Sequence, residues 1–216
     1  MPTSPGLVVG LAFNEGAGGV AHDISGYGNH GTLSGATWVA GGRYGKALSF
    51  NGTSSWVTIP NSLSIGALAT VTLEAWVYPT SAINGWRDVI MKERAGGAAF
   101  YLCANNADSM QSAGGIDSGS EQVVRGGTVL TTNVWTHLAM TYDGKAERLY
   151  VNGVQVSMTA ATGNPISSTY ALRIGGDSIW GEFFNGYIDE VRVYNRAVAA
   201  AQIVTDMNTP LRGVAP

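Results

Sequence analysis

The chain has 216 residues, 45% of them hydrophobic, which is enough apolar side chain for one sizeable core. Its 12 Lys and Arg against 15 Asp and Glu leave a net charge of −3, so it carries no electrostatic footprint for nucleic acid or an acidic membrane surface. The single cysteine, Cys103, excludes a disulfide framework and reads as a buried structural thiol within the apolar run from Ala98 to Ala104. No apolar run reaches the roughly 18 residues that cross a bilayer, so membrane insertion is not expected.

Residues 1–5 look like a linker left by an expression boundary, and the reading is of one domain over 6–210 followed by a tail or linker at 211–216. Leu7 to Asn14 opens as an apolar strand, and the polar loop from His22 to Gly31 follows it. Lys46 to Phe50, the turn pair Asn51-Gly52 and Ser55 to Pro60 read as a hairpin with a longer loop. Val71 to Tyr78 is another strand, closed by Pro79. The middle offers Asp88 to Lys92, Phe100 to Ala104 and Gln122 to Arg125, while Asn105 to Ser120 has almost no periodicity. Within that segment Asp108 and Asp117 read as solvated. Trp135 to Tyr142, Glu147 to Val151 and Val154 to Met158 are separated by Asp143-Gly144 and Asn152-Gly153, which predicts a three-stranded meander. Ala171 to Ile174 and a strand around Asp189 complete the set, with one short helix over Val198 to Met207, ended by Pro210. Many short strands and one helix predict an all-β fold of two packed antiparallel sheets, because stacking two half-apolar sheets buries both inner faces.

In the last strand, Tyr187, Asp189, Val191 and Val193 share one face at strict period two, and Glu190 and Arg192 fall on a solvated face. A carboxylate in line with core valines is costly to bury unless it is neutralised, and a cation is one common answer. The oxygen-rich loop Asp23 to Gly31 reaches Asp189 if the first and last strands lie side by side, forming a metal clasp between the ends of the chain. The alternative is that Asp23 and Asn29 cap their own turn and Asp189 accepts hydrogen bonds from it. His22 and His30 flank the loop as solvated residues.

Several stretches, in this order, carry a resemblance: Phe13-Asn14-Glu15-Gly16, the Asp23 to Gly31 loop, Gly45 to Gly52, Thr72 to Val77, Trp135 to Ala139, Leu149 to Gly153 and Ile188 to Val191. Over about Leu7 to Pro210 the chain resembles the laminin-G-like, concanavalin-A-like lectin and glucanase jelly-roll domains. The resemblance implies a jelly-roll sandwich with a structural calcium ion, with Asp23 and Asp189 as leading ligands and Asn29 and Glu15 beside them. It also implies an extracellular or cell-surface setting within a larger protein that has neighbouring domains.

Relatives of this fold include polysaccharide-cleaving enzymes, but the chain has no Glu-x-Asp-x-x-Glu cluster and no Gly-x-Ser-x-Gly elbow, so a noncatalytic role is expected. Binding remains. A pyranose is held by a flat aromatic ring together with a few amide, carboxylate or guanidinium groups. Trp76, Trp135, Trp38 and Trp56 read as packing residues, whereas Trp86 and Trp180 fall in loops. With Arg87, Asn105, Asn106, Gln122, Arg125, Asp177 and Glu182 they form the expected glycan site. The competing expectation is an adhesion module that contacts another protein and binds no sugar.

Overall fold

The computed structural model describes residues 4–82 and 84–212, so residues 1–3 of the expected linker and 213–216 of the expected tail lie outside it. Its strands are β1 (Leu7–Leu11), β2 (Val20–Ala21), β3 (Gly31–Ser34), β4 (Thr37–Val39), β5 (Ala47–Asn51), β6 (Trp56–Ile59), β7 (Val71–Pro79) and β8 (Arg87–Arg94). The second half adds β9 (Gly97–Asn105), β10 (Ser112–Asp117), β11 (Glu121–Gly126), β12 (Thr136–Tyr142), β13 (Ala146–Val151), β14 (Val154–Ala160), β15 (Leu172–Ile174) and β16 (Asn185–Tyr194), and a helix α1 (Ala200–Asn208) follows. One sheet has the order β14-β13-β12-β7-β16-β5-β4, with β1 also paired to β16. The other runs β11-β10-β9-β8-β15-β6-β3-β2. Their apolar inner faces, among them Leu48, Val57, Leu73, Leu102, Met140 and Val191, form the common core. This is the predicted two-sheet jelly roll. No helix among the described residues is long and apolar enough to cross a membrane.

The meander β12-β13-β14 is present, turned at Asn152-Gly153 with both residues at positive φ. The hairpin expected from Lys46 to Pro60 is not. Strand β5 pairs with β4 and β16, whereas β6 pairs with β3 and β15, so the chain crosses between sheets at this corner. Asn51 shapes the corner: its Oδ1 accepts the N–H groups of Thr53, Ser54 and Ser55, which turns the backbone before a ladder can form. Strand β10 falls in the segment without periodicity because its centre is Gly114-Gly115. A Cβ on Gly114 would meet the Met140 side chain at 2.6 Å and one on Gly115 the Gln122 carbonyl oxygen at 2.4 Å, so packing selects glycine where pattern would want a branched residue. Asp117, expected in water, is buried and ion-paired with Arg94.

Strand β16 breaks strict alternation. Asp189 lies opposite Trp76 but Arg192 lies opposite Glu74, so an extra residue is inserted between them, and Glu190 takes φ 56°. The bulge places Ile188, Val191 and Val193 in the core and leaves Asp189 and Arg192 on the other face. That face is not solvated. Helix α1 and the segment after it cover it: Arg192 pairs with Glu190 at 3.0 Å and donates to the Thr209 carbonyl, while Tyr194 donates to Asp206. Trp76 belongs to this covered layer, donating to the Met207 carbonyl. Trp135 is half-buried beside Tyr78, and Trp38 packs against the core edge.

Candidate functional site

Strands β8 and β9 present Met91, Tyr101 and Cys103 away from the common core, in a small apolar cluster against which Trp86 packs. Irregular register between Arg87 and Ile90 turns Asp88 to this same face, next to Cys103. The Cys103 thiol donates to Asp88 Oδ1 at 2.8 Å. These residues line a cavity of about 230 Å³ with Glu121, Trp180 and Glu182.

The wall carrying Trp180 is built by one carboxylate. Asp177 Oδ1 accepts the N–H groups of Ile179, Trp180 and Gly181, and its Oδ2 accepts that of Glu182, so the loop from 178 to 182 is wound around a buried aspartate. Trp180 is left 54% exposed at the cavity. Asp88, Asp177 and Glu182 each bring a carboxylate oxygen to within 4.8 Å of the other two. Burial, opposed by the Cys103 bond and reinforced by Asp177, raises the Asp88 carboxyl well above its ordinary range. Burial and then Asp177 push Glu182 up to about 7. The Cys103 thiol is raised by burial and by Asp88, which fits an inert structural thiol.

Among the residues expected at a glycan site, the structure brings Trp86, Trp180, Glu182 and Asp177 together. Arg125 joins them, its guanidinium 5.9 Å from the Trp86 ring centre and 3.1 Å from Asp108. Arg87 and Asn105 support the turn instead: Arg87 donates to the Trp86 carbonyl and Asn84, and Asn105 to the Gly85 carbonyl. Asn106 is buried and ties its own turn through Asp108, Ser109 and Gln111. Gln122 clamps Ser118 and Thr162. Asp88, Met91, Tyr101, Cys103 and Glu121 complete the lining without having been expected. The signal for Asp88 was legible, since it is a carboxylate opening the apolar run Val89-Ile90-Met91.

The expected metal clasp separates into independent hydrogen-bonded groups. Strands β1 and β16 do lie side by side. Asp23, however, accepts from Gly10 N and Ser25 N on one oxygen and from Ser25 Oγ and Asn29 N on the other, which fills its lone pairs. Asn29 spends its amide on the Val8 carbonyl, Ser64 and Ser62. Glu15 accepts the His22 N–H. Asp189 meets a different loop, accepting from Tyr44 N at 3.0 Å and from Glu190 N, and burial pushes it up to about 8. The four residues do not fit a shared cation, because Asp189 turns to the Tyr44 loop and away from Asp23, whose two oxygens, like the Asn29 side-chain oxygen, are already taken by hydrogen-bond donors.

Comparison with known proteins agrees with this architecture. Residues 51–204 match the family described as the concanavalin A-like lectin/glucanases superfamily. Pappalysin-1 from Mus musculus is 34% identical over 79 residues, and that from Homo sapiens is 32% identical over 83. Each alignment covers 35% of this chain and 5% of the relative, so the chain spans a small part of those proteins. In shape it is similar to domain 4 of AbnA, a GH43 extracellular arabinanase from Geobacillus stearothermophilus, in complex with arabinotriose. The TM-score is 0.75 at 21% identity, over 93% of this chain and 98% of that one. It is also similar to the binding domain of Paraclostridial Mosquitocidal Protein 1, with TM-score 0.75, 16% identity and 94% and 52% coverage. The binding domain of botulinum neurotoxin DC in complex with rat synaptotagmin II gives 0.74, 12% identity and 96% and 52%. With most of its length matched by the family and its sheets arranged in the same way, this chain belongs to the concanavalin A-like lectin/glucanases superfamily.

Proposed function

We propose that the chain is a noncatalytic carbohydrate-binding module of a larger secreted or surface protein, and that a glycan sits in the cavity between Trp86 and Trp180. The observation that carries this reading is the pairing of two indole rings with Glu182 and Glu121 around one cavity on the outer face of a sheet. Half-exposed Trp180 is held in place by the Asp177 turn, so its ring is offered to a ligand at little further cost in ordering. The similarity in shape to a domain of an extracellular arabinanase in complex with arabinotriose supports a sugar and an extracellular setting.

A protein ligand is the second reading, favoured by strand β14, which lies at a sheet edge with Val154 and Met158 exposed. A glycan panel separates the two. The proposed module gives a hit that weakens roughly tenfold or more in Trp180→Ala and Trp86→Ala, as expected when a stacking ring worth a few kcal/mol at most is removed. A panel without hits, alongside retained binding to a protein partner, would reverse the order. Release of reducing ends or unsaturated products from a bound polysaccharide would overturn the noncatalytic part.

A further inference from the structure

We propose that the outer face of the other sheet carries a separate binding site, an aromatic ridge of Trp135, Tyr78 and Tyr187 that takes an extended, uncharged polysaccharide. The inference does not rest on the cavity between Trp86 and Trp180, which opens on the opposite face of the sandwich. Tyr187 lies opposite Tyr78 in β7 and, on its other side, opposite Ser49 in β5, which in turn lies opposite Thr37 in β4. Trp135 precedes β12 and places its ring 5.4 Å from that of Tyr78. The chain neighbours Val77, Ile188 and Leu48 are in the common core, so alternation sends this row outward. Four strand spacings of about 4.8 Å give it a length of about 19 Å.

The cover formed by α1 stops one row short of the ridge. The adjacent row on this face, with His137, Trp76 and Asp189, is buried. Tyr44 and Trp76 both donate to the Met207 carbonyl, and the Arg43 guanidinium lies 4.3 Å from the Trp76 ring centre, so these groups wall one side of the ridge. The row itself stays open: its three rings and Ser49 are half-buried, and Thr37 is exposed. Tyr78 and Tyr187 stack at 5.4 Å with their planes 10° apart, which orders both rings before a ligand arrives. Beyond Tyr187 the row drops to the two small hydroxyl side chains of Ser49 and Thr37, which make a shallow floor beside the ring. The polar tips are unspent. Tyr78 Oη, Tyr187 Oη and Trp135 Nε1 make no hydrogen bond among the described residues, whereas the hydroxyls of Tyr44, Tyr142 and Tyr194 are all engaged. Apolar ring surface beside free hydroxyl and indole N–H groups is what a sugar chain needs. No charged side chain belongs to the row, which matches an uncharged ligand rather than an anionic one. A strip one side chain wide also falls far short of the roughly 800 Å² that each partner gives to a stable protein interface.

The test is affinity electrophoresis through gels containing arabinan, xylan, mixed-linkage β-glucan or galactomannan, with polygalacturonate as the acidic comparison. The double variant Trp86→Ala, Trp180→Ala removes the rings of the cavity. It should still be retarded by at least one neutral polysaccharide, and adding Tyr187→Ala should weaken that retardation roughly tenfold. Adding Thr37→Trp instead fills the floor from an exposed position without disturbing the core, and should give the same loss with an unchanged melting temperature. Retardation that vanishes in the double variant, or that either added substitution leaves unchanged, overturns the ridge and leaves the cavity reading intact. Retardation by polygalacturonate alone overturns the choice of an uncharged ligand. Retardation equal in wild type and double variant but lost with Thr37→Trp keeps the ridge and removes the cavity. A blank panel for the wild-type chain removes both.

Discussion

Three aspartates show how one residue type meets burial in three ways. Asp23 is satisfied by four donors from its own loop and from β1, so it fastens the start of the chain without an ion. Asp189 takes two backbone amides and is raised to about 8. Asp88 keeps an oxygen without any partner. The Asp23 arrangement makes a direct prediction: Asp23→Ala orphans buried N–H groups of Gly10, Ser25 and Asn29 and should cost about 3 kcal/mol or more in urea unfolding. The loss should be the same in calcium and in chelator. A loss present only with calcium would restore a metal to this loop.

At the scale of elements, the decisive features are interruptions of regular strands. The bulge in β16 inserts one residue and thereby turns a carboxylate expected toward the core to the face beneath α1. Strands β13 and β10, in opposite sheets, are joined by Glu147, whose Oε1 accepts the Ile116 N–H at 2.8 Å. Its Oε2 is buried without a partner, and burial pushes the carboxyl from an ordinary 4.5 up to about 8. The folded state therefore retains a proton that the unfolded chain releases near 4.5. This contribution is fully present below that pH and is lost as pH rises through about 8. Asp189, raised to about 8, and Glu190, raised to about 7, act in the same direction. Scanning calorimetry in chelator should thus show Tm falling between pH 5 and pH 9. Glu147→Gln, which keeps an acceptor for Ile116 and mimics the protonated acid, should reduce that fall by several degrees, since each kcal/mol moves Tm of a domain this size by about 2–4 °C. An unchanged slope would mean that Glu147 does not titrate in this range.

Across the whole molecule, the sandwich depends on the ends of the chain meeting. Strand β1 pairs with β16, Leu7 opposite Tyr194 and Leu11 opposite Val191. Leu7, Val8, Val9 and Leu11 are all buried, and at about 1.5–3 kcal/mol each their burial is comparable with the about 5–15 kcal/mol that stabilises a whole domain. A chain lacking residues 1–11 should have no cooperative melting transition by circular dichroism. A sharp transition within a few degrees of wild type would show that β1 is dispensable.

The two-sheet class, the meander, the position of the helix and the loop tryptophans could be read from residues 1–216 because each is local. Alternation, turn pairs such as Asn152-Gly153 and proline stops act over a few residues and need no distant partner. Sheet membership at Asn51, strand β10 through Gly114-Gly115, the direction of Asp189 and the gathering of Asp88 with Asp177 and Glu182 were decided only by tertiary structure. Each depends on which backbone or side chain lies opposite, and a single bulge or a single missing Cβ reverses what periodicity implies. The cavity follows the same rule: Trp86 and Trp180 were visible as loop aromatics, but the buried acid between them acquires its meaning from strands that come together only after the sheets have packed.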